Sequence, residues 1–122
     1  MLKDTESIIP ATGDVYVNET IDEILEKYVD VSFGEFKITN NGYFDETSLD
    51  ITVKNKADRR FTYYITIEAI DANGARIGTD IIYADRLASE QKIYLKAFEY
   101  IDQDKLDQFR YATLIVLEIN KF

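Results

Sequence analysis

Carboxylates are the groups best suited to chemistry in this chain, and Asp102-x-Asp104-x-x-Asp107 places three of them on one short polar segment. Hard oxygen ligands on a loop suit calcium. The segment has neither the turn glycine nor the distal glutamate of an EF-hand loop, and Lys105 stands inside it. A solvated acidic loop is the plainer account, and no metal is assigned. With no His and no Cys, serine triads, cysteine nucleophiles and zinc sites of the usual ligand types are excluded. Two carboxylates acting as acid and base on a glycoside need a cleft that holds them about 5 to 10 Å apart, and no acidic pair falls at a strand end facing such a cleft. Gly74 and Gly78 lie near a hairpin turn and precede no helix, so they make no phosphate cradle. The expectation is a noncatalytic protein without a cofactor.

Aromatic and acidic side chains offer binding chemistry instead. Tyr64 is opposite in phase to Tyr63, Ile65 and Ile67, while Tyr94 and Phe98 are opposite in phase to Ile93, Leu95 and Ala97. If those strands share a sheet, Tyr64, Tyr94 and Phe98 form an outer aromatic patch of the kind enriched in binding sites. The plainer account is cross-strand pairing that stabilises the sheet. A second candidate is the acidic set Asp22, Glu23, Glu26 and Asp30, which would suit a basic surface on another protein or act as a solubilising face.

Charge distribution narrows the partners. Residues 1–35 hold nine acids and two bases, residues 36–122 fourteen acids and twelve bases, so −7 of the net −9 sits in the first third. An acidic chain without a basic stripe argues against nucleic acid, whose affinity comes from cations displacing condensed counterions. The apolar run Ala112 to Leu117, interrupted by Thr113, is too short to cross a bilayer, so no membrane insertion is expected. A chain of 122 residues with 46% hydrophobic content has length enough for one cored domain without metal or disulfide. Absent cysteine does not fix the compartment.

The elements that would position these groups are mostly strands. Residues 1–18 carry no sustained period and read as a leader or linker, and Met1 to Gly13 lacks the apolar stretch of a signal peptide, so the chain either starts in the cytosol or follows an omitted export segment. Residues 19–122 read as the domain. Ile21, Ile24, Leu25 and Tyr28 recur at helical spacing behind a Thr20-x-x-Glu23 capping box, which predicts two turns of helix. Val29, Val31 and Phe33 alternate until Gly34 shifts the parity to Phe36 and Ile38, as a bulge would. Asn40-Asn41-Gly42 is the next turn. Leu49, Ile51, Val53, then Phe61, Tyr63, Ile65, Ile67, then Ile77, Thr79, Ile81, Tyr83 alternate with period two, separated by turns at Asn55 to Asp58 and Asp71-Ala72-Asn73-Gly74. That pattern predicts an antiparallel meander covered by a second layer. Asp102 to Gln108 is a polar crossing with room for one helical turn. Tyr111 to Asn120 is apolar on both faces and is expected to be a central strand, its second face covered by the helix or by another chain. Asn18-Glu19-Thr20 spells a glycosylation acceptor, a common chance match.

Val53-x-Asn55, the acidic turn at Asp58, Tyr63-x-Ile65-x-Ile67, Asp71-Ala72-Asn73-Gly74, Ile77-Gly78-Thr79-Asp80 and Leu87 before Gln91 resemble the FxLYD-type and related small immunoglobulin-like β-sandwich domains. The likeness spans about residues 47–98. The motif that names the family falls on Ile67-Glu68-Ala69-Ile70-Asp71, where the Asp agrees, and Ser89-Glu90 replaces the usual Pro-Gly. The resemblance implies a noncatalytic sandwich of bacterial exported, lipid-anchored or membrane-tethered proteins, and it brings no functional residues. The expected fold is therefore mainly β: an immunoglobulin-like sandwich of six or seven antiparallel strands with one short N-terminal helix. The expected function is a protein-interaction or accessory module, extracellular or at the cell surface. The alternative is a small acidic cytosolic inhibitor, of the phage type, that occupies a basic site on a partner.

Overall fold

The computed structural model describes residues 19–40, 42–43 and 45–122. The leader at 1–18, the glycosylation sequence at Asn18 and the middle of the Asn40-Asn41-Gly42 turn lie outside the described residues or partly so.

Helix α1 (Ile21–Lys27) starts at Thr20, whose hydroxyl accepts from the Glu23 N–H while the Glu23 carboxylate accepts from the Thr20 N–H (2.9 Å). Six antiparallel strands follow: β1 (Val29–Asn40), β2 (Asp45–Asn55), β3 (Phe61–Ile70), β4 (Arg76–Leu87), β5 (Lys92–Ala97) and β6 (Thr113–Lys121). A single 3₁₀ turn (Gln103–Lys105) and helix α2 (Leu106–Arg110) precede β6. The strands form two three-stranded sheets, ordered β1-β2-β5 and β4-β3-β6, with one apolar core between them.

That order corrects the expected meander. β3 and β4 are a hairpin, closed by Asp71, whose Oδ1 accepts from the N–H groups of Asn73 and Ala75 at 2.9 Å each, with Gly74 at φ +86°. β2 does not join them, because the chain crosses to the opposite sheet between Asn55 and Phe61. Asn55 makes the crossing an arch. Its side chain is 0% exposed, donates to the carbonyl oxygens of Arg59 (2.9 Å) and Leu87 (2.8 Å), and accepts from the Ala57 N–H (3.1 Å) and the Tyr63 hydroxyl (2.8 Å).

β6 is an edge strand and not the central one. Its pairing with β3 runs Thr66↔Glu118 and then Ile67↔Val116, so Leu117 is an extra residue. Leu114 and Val116 before this bulge, and Ile119 after it, are the residues packed on the core. The double-faced apolar run is therefore one inner face read through a change of parity. A similar slip on β1, where Gly34 and Glu35 oppose Asp50, follows the glycine. A Cβ on Gly34 would stand 3.2 Å from the Asp50 carbonyl oxygen.

The two helices close the ends of the sandwich. α1 contacts β1 and β6, buries Ile24, and is tied by Lys56, which donates to the Leu25 carbonyl oxygen (2.7 Å). It does not lie over the outer face of β6, where Leu117 stays exposed. At the other end Phe109 of α2 packs on Phe36 and Phe98, with ring centroids at 5.8 and 5.1 Å, and its ring occupies the place a Cβ on Gly78 would take. No helix among the described residues is long and apolar enough to cross a membrane.

Two outcomes follow from the Asn55 arch. Asn55→Ala leaves the Arg59 and Leu87 carbonyls and the Ala57 N–H without their side-chain partner, the Tyr63 hydroxyl keeping the Tyr28 carbonyl, and should lower the unfolding free energy by about 3 kcal/mol or more. A urea midpoint shift worth less than about 1 kcal/mol would contradict the arch. Burial of Tyr63, with a smaller contribution from Tyr28, pushes its phenol from 10.0 up to about 12. Between those values the unfolded phenol has lost its proton and the folded one keeps it, so the contribution is complete below pH 10 and disappears by about pH 12, at about 1.4 kcal/mol per unit. Tyr63→Phe should flatten that alkaline decline in pH-dependent denaturation.

Candidate functional site

The sequence-nominated aromatics do not assemble. Tyr64 is on β3 and Tyr94 on β5, in opposite sheets, so their outward side chains face away from each other. Tyr94 is 75% exposed on the β1-β2-β5 face, above Asp50, Thr52 and Lys96. Phe98 is 5% exposed and belongs to the core. Its alternation ends with β5 at Ala97, and a φ of +54° at Phe98 turns the ring inward. Asp80 Oδ2 accepts from the Phe98 N–H (2.8 Å), and the Thr47 hydroxyl donates to the Phe98 carbonyl oxygen (2.8 Å), which together hold that turn.

The acidic set is likewise divided. Glu23 is engaged in the α1 cap, which holds its carboxyl below the ordinary value. Asp30 pairs with Lys56 at 2.9 Å. Asp22 and Glu26 are exposed on α1. Asp102, Asp104 and Asp107 are exposed around the 3₁₀ turn and α2, and among the described residues no three acidic side chains gather as a metal-ligand set.

A different surface stands out: Tyr64 lies on it, outward as its phase predicts, together with residues of β4 that the alternation assigned to the interior. On β4 the inward residues are Ile82 and Ala84, paired with Ile65 and Tyr63, so Thr79, Ile81 and Tyr83 point outward. The extra residue Ile77, between the pairs Ala69↔Gly78 and Ile70↔Arg76, sets this parity. Tyr83 therefore meets Tyr64 of β3, with ring centroids 4.6 Å apart, and the Phe122 ring stands edge-on to Tyr64 at 5.5 Å. Thr62 joins these three rings around a shallow groove of about 370 Å³.

Along the same face Ile81 is 61% exposed and Leu117 is also exposed. On the central strand the carboxylate of this face, Glu68, is buried and paired with Arg76 of β4. Other charges stand at the margin. Asp85 Oδ1 accepts from the Tyr83 hydroxyl (2.9 Å), a bond that raises the phenol above its ordinary value, and Glu118 lies beside Leu117 on the edge strand. The β1-β2-β5 face is the opposite in character. Lys37 pairs with Asp50 there at 2.9 Å, Lys54 with Glu90 at 3.1 Å, and Lys92 and Lys96 flank Tyr94.

A strand apolar on both faces was the available signal for the exposed face. Ile81-Ile82-Tyr83-Ala84 has that composition.

No family model matches the chain, and no curated protein does. A solved structure with some likeness is that of a DUF1425 family member from Shewanella sp. pv-4, 19% identical over 91% of this chain and 94% of that chain, with a TM-score of 0.39. A likeness of that size carries no argument about function.

The two exposed-looking aromatics should respond oppositely to truncation. Phe98→Ala removes a core ring and should cost about 3 kcal/mol or more, whereas Tyr94→Ala should stay within about 0.5 kcal/mol. Equal losses in thermal or urea denaturation would contradict the placement of Phe98.

Proposed function

We propose that this chain is a noncatalytic immunoglobulin-like sandwich that serves as an interaction module, in a bacterial exported or surface-tethered protein. The carrying observation is the contrast between its two outer faces: charged and ion-paired on β1-β2-β5, aromatic and apolar on β4-β3-β6. An exposed apolar patch with a polar margin is what a protein-protein contact presents before its partner arrives.

Strand order supports the immunoglobulin-like assignment. β1, β2 and β5 pair as strands A, B and E do in immunoglobulin domains, and β4, β3 and β6 pair as C′, C and F do, with the Asn55 arch as the B-to-C crossing. The extracytoplasmic placement rests on the FxLYD likeness, and Val53-x-Asn55 and the Asp71 turn, which carry that likeness, are built into the arch and the β3-β4 hairpin. The competing inhibitor reading needs a concerted acidic surface, and two of its four carboxylates already have partners within the chain.

With the protein immobilised, a partner retained by the wild type should be lost on Tyr64→Lys and kept on Tyr94→Lys, both variants holding the wild-type far-ultraviolet spectrum. The reverse pattern would sink the reading. Retention that disappears as salt rises, and on Asp22→Asn with Glu26→Gln, would favour the inhibitor instead.

A further inference from the structure

We infer that the partner of the β4-β3-β6 face is a second copy of this chain, stacked sheet on sheet about a two-fold axis that lies across the strands near Thr66. The inference rests on the interaction reading above and names the partner of the same face.

Shape is the first argument. The face is tall at one end, where Tyr64, Tyr83 and Phe122 stand, and lower toward the other, where Thr79 of β4 and the tucked-down Glu68 of β3 lie, with the exposed Arg76 beyond them at the end of β4. A two-fold axis across the strands reverses the direction of each strand over its own copy. The tall end of one sheet then sits over the low end of the other, and Ile81 meets Ile81 near the axis. An axis along the strands would instead put rings on rings and leave the low ends apart. Packed sheets need side chains that interdigitate across about 10 Å, which only the first arrangement supplies.

Charge is the second. The reversed stacking carries Asp85, one step beyond Tyr83, toward the partner copy's end of β4, where Arg76 stands exposed. It also places Glu118 near its own copy at the margin, opposite Thr66. The contact therefore has an attractive pair at each end and one repulsive pair beside the axis. Two chains of net charge −9 also repel at long range.

Area is the third. Three strands about 4.8 Å apart and about nine residues long give a footprint of roughly 14 by 30 Å before side-chain relief. A stable complex covers about 800 Å² of accessible surface per partner. That projected footprint is about half of what a stable complex covers, so the contact is a weak one and draws on the whole face, as the reversed stacking does.

Sedimentation equilibrium of the full chain tests this. At about 100 μM the wild type should show the mass of two chains, and its association should strengthen as salt rises from about 0.05 to about 0.5 M, because screening removes like-charge repulsion. Ile81→Lys should weaken association by about thirtyfold or more with an unchanged far-ultraviolet spectrum, and Glu118→Gln should tighten it. A wild type that stays monomeric in both salts, or a dimer indifferent to Ile81→Lys, overturns the inference. A monomer that still loses another protein on Tyr64→Lys overturns the second copy and leaves the interaction module standing.

Discussion

One buried amide holds the two sheets in register. Asn55 has two donors and an acceptor oxygen with two lone pairs, and all four positions are used: Arg59 and Leu87 carbonyls on one side, the Ala57 N–H and the Tyr63 hydroxyl on the other. Its main chain is engaged as well, the N–H donating to the Gln91 carbonyl oxygen at 3.0 Å and the carbonyl oxygen accepting from the Glu90 N–H at 2.7 Å. Three chain segments thus meet at one residue: the arch from β2 to β3, the end of β4, and the turn into β5. Through the Tyr63 hydroxyl, which also lies 3.1 Å from the Tyr28 carbonyl oxygen, the C-terminal end of α1 is drawn into the same network. Leucine would fill the space and satisfy none of these groups. Aspartate would set a carboxylate against two carbonyl oxygens. In a site without water access, the amide is the side chain whose hydrogen-bonding capacity matches the demand.

With the crossing fixed, the ends of the sandwich are closed by rings rather than by sheet. Tyr28, Phe61 and Tyr63 gather beneath α1, with the Lys121 ammonium 4.4 Å from the Tyr28 ring centroid and 3.0 Å from the Glu19 carboxylate. Phe36, Phe98 and Phe109 do the same at the α2 end. Both helices are shorter than isolated helices can sustain, so each exists because its apolar side chains are buried in these clusters. Both ends being plugged, the broad surfaces left to meet another molecule are the two outer sheet faces.

Turns and inner faces were legible from the amino-acid order because their causes are local. Asp71 closes a hairpin with its own next four residues, Gly34 marks a bulge where a side chain would crowd Asp50, and Thr20 and Glu23 cap each other across three positions. What failed had non-local causes. The stretch after Asn55 looks like a hairpin turn, and it becomes an arch only because Leu87 and Gln91, more than thirty positions on, are its partners. The bulge at Leu117 has no glycine beside it, and at Ile77 the adjacent Gly78 stands in a run that alternates without a break, so the alternation around both was assigned to the wrong face. Phe98 failed in the same way, since nothing in its neighbours announces a positive φ that the distant Asp80 and Thr47 side chains stabilise.

These parity errors are also why the most informative surface was missed. A strand with apolar residues on both sides is ordinarily taken as buried on both sides. In this sandwich only one side of β3, β4 and β6 has a second layer, so the remaining apolar side chains stand in water. The chain does little to dilute them. Its acidic excess lies in the first 35 residues, and its lysines gather on the opposite sheet, while Glu68, the carboxylate that would break up the exposed face, is tucked down and neutralised by Arg76. Sheet formation alone does not require that placement, because a solvated carboxylate at the same position would pair with Arg76 across the strands equally well. Withdrawing it from the surface leaves the central strand of the face without an exposed charge, and the remaining charges stand on the flanking strands.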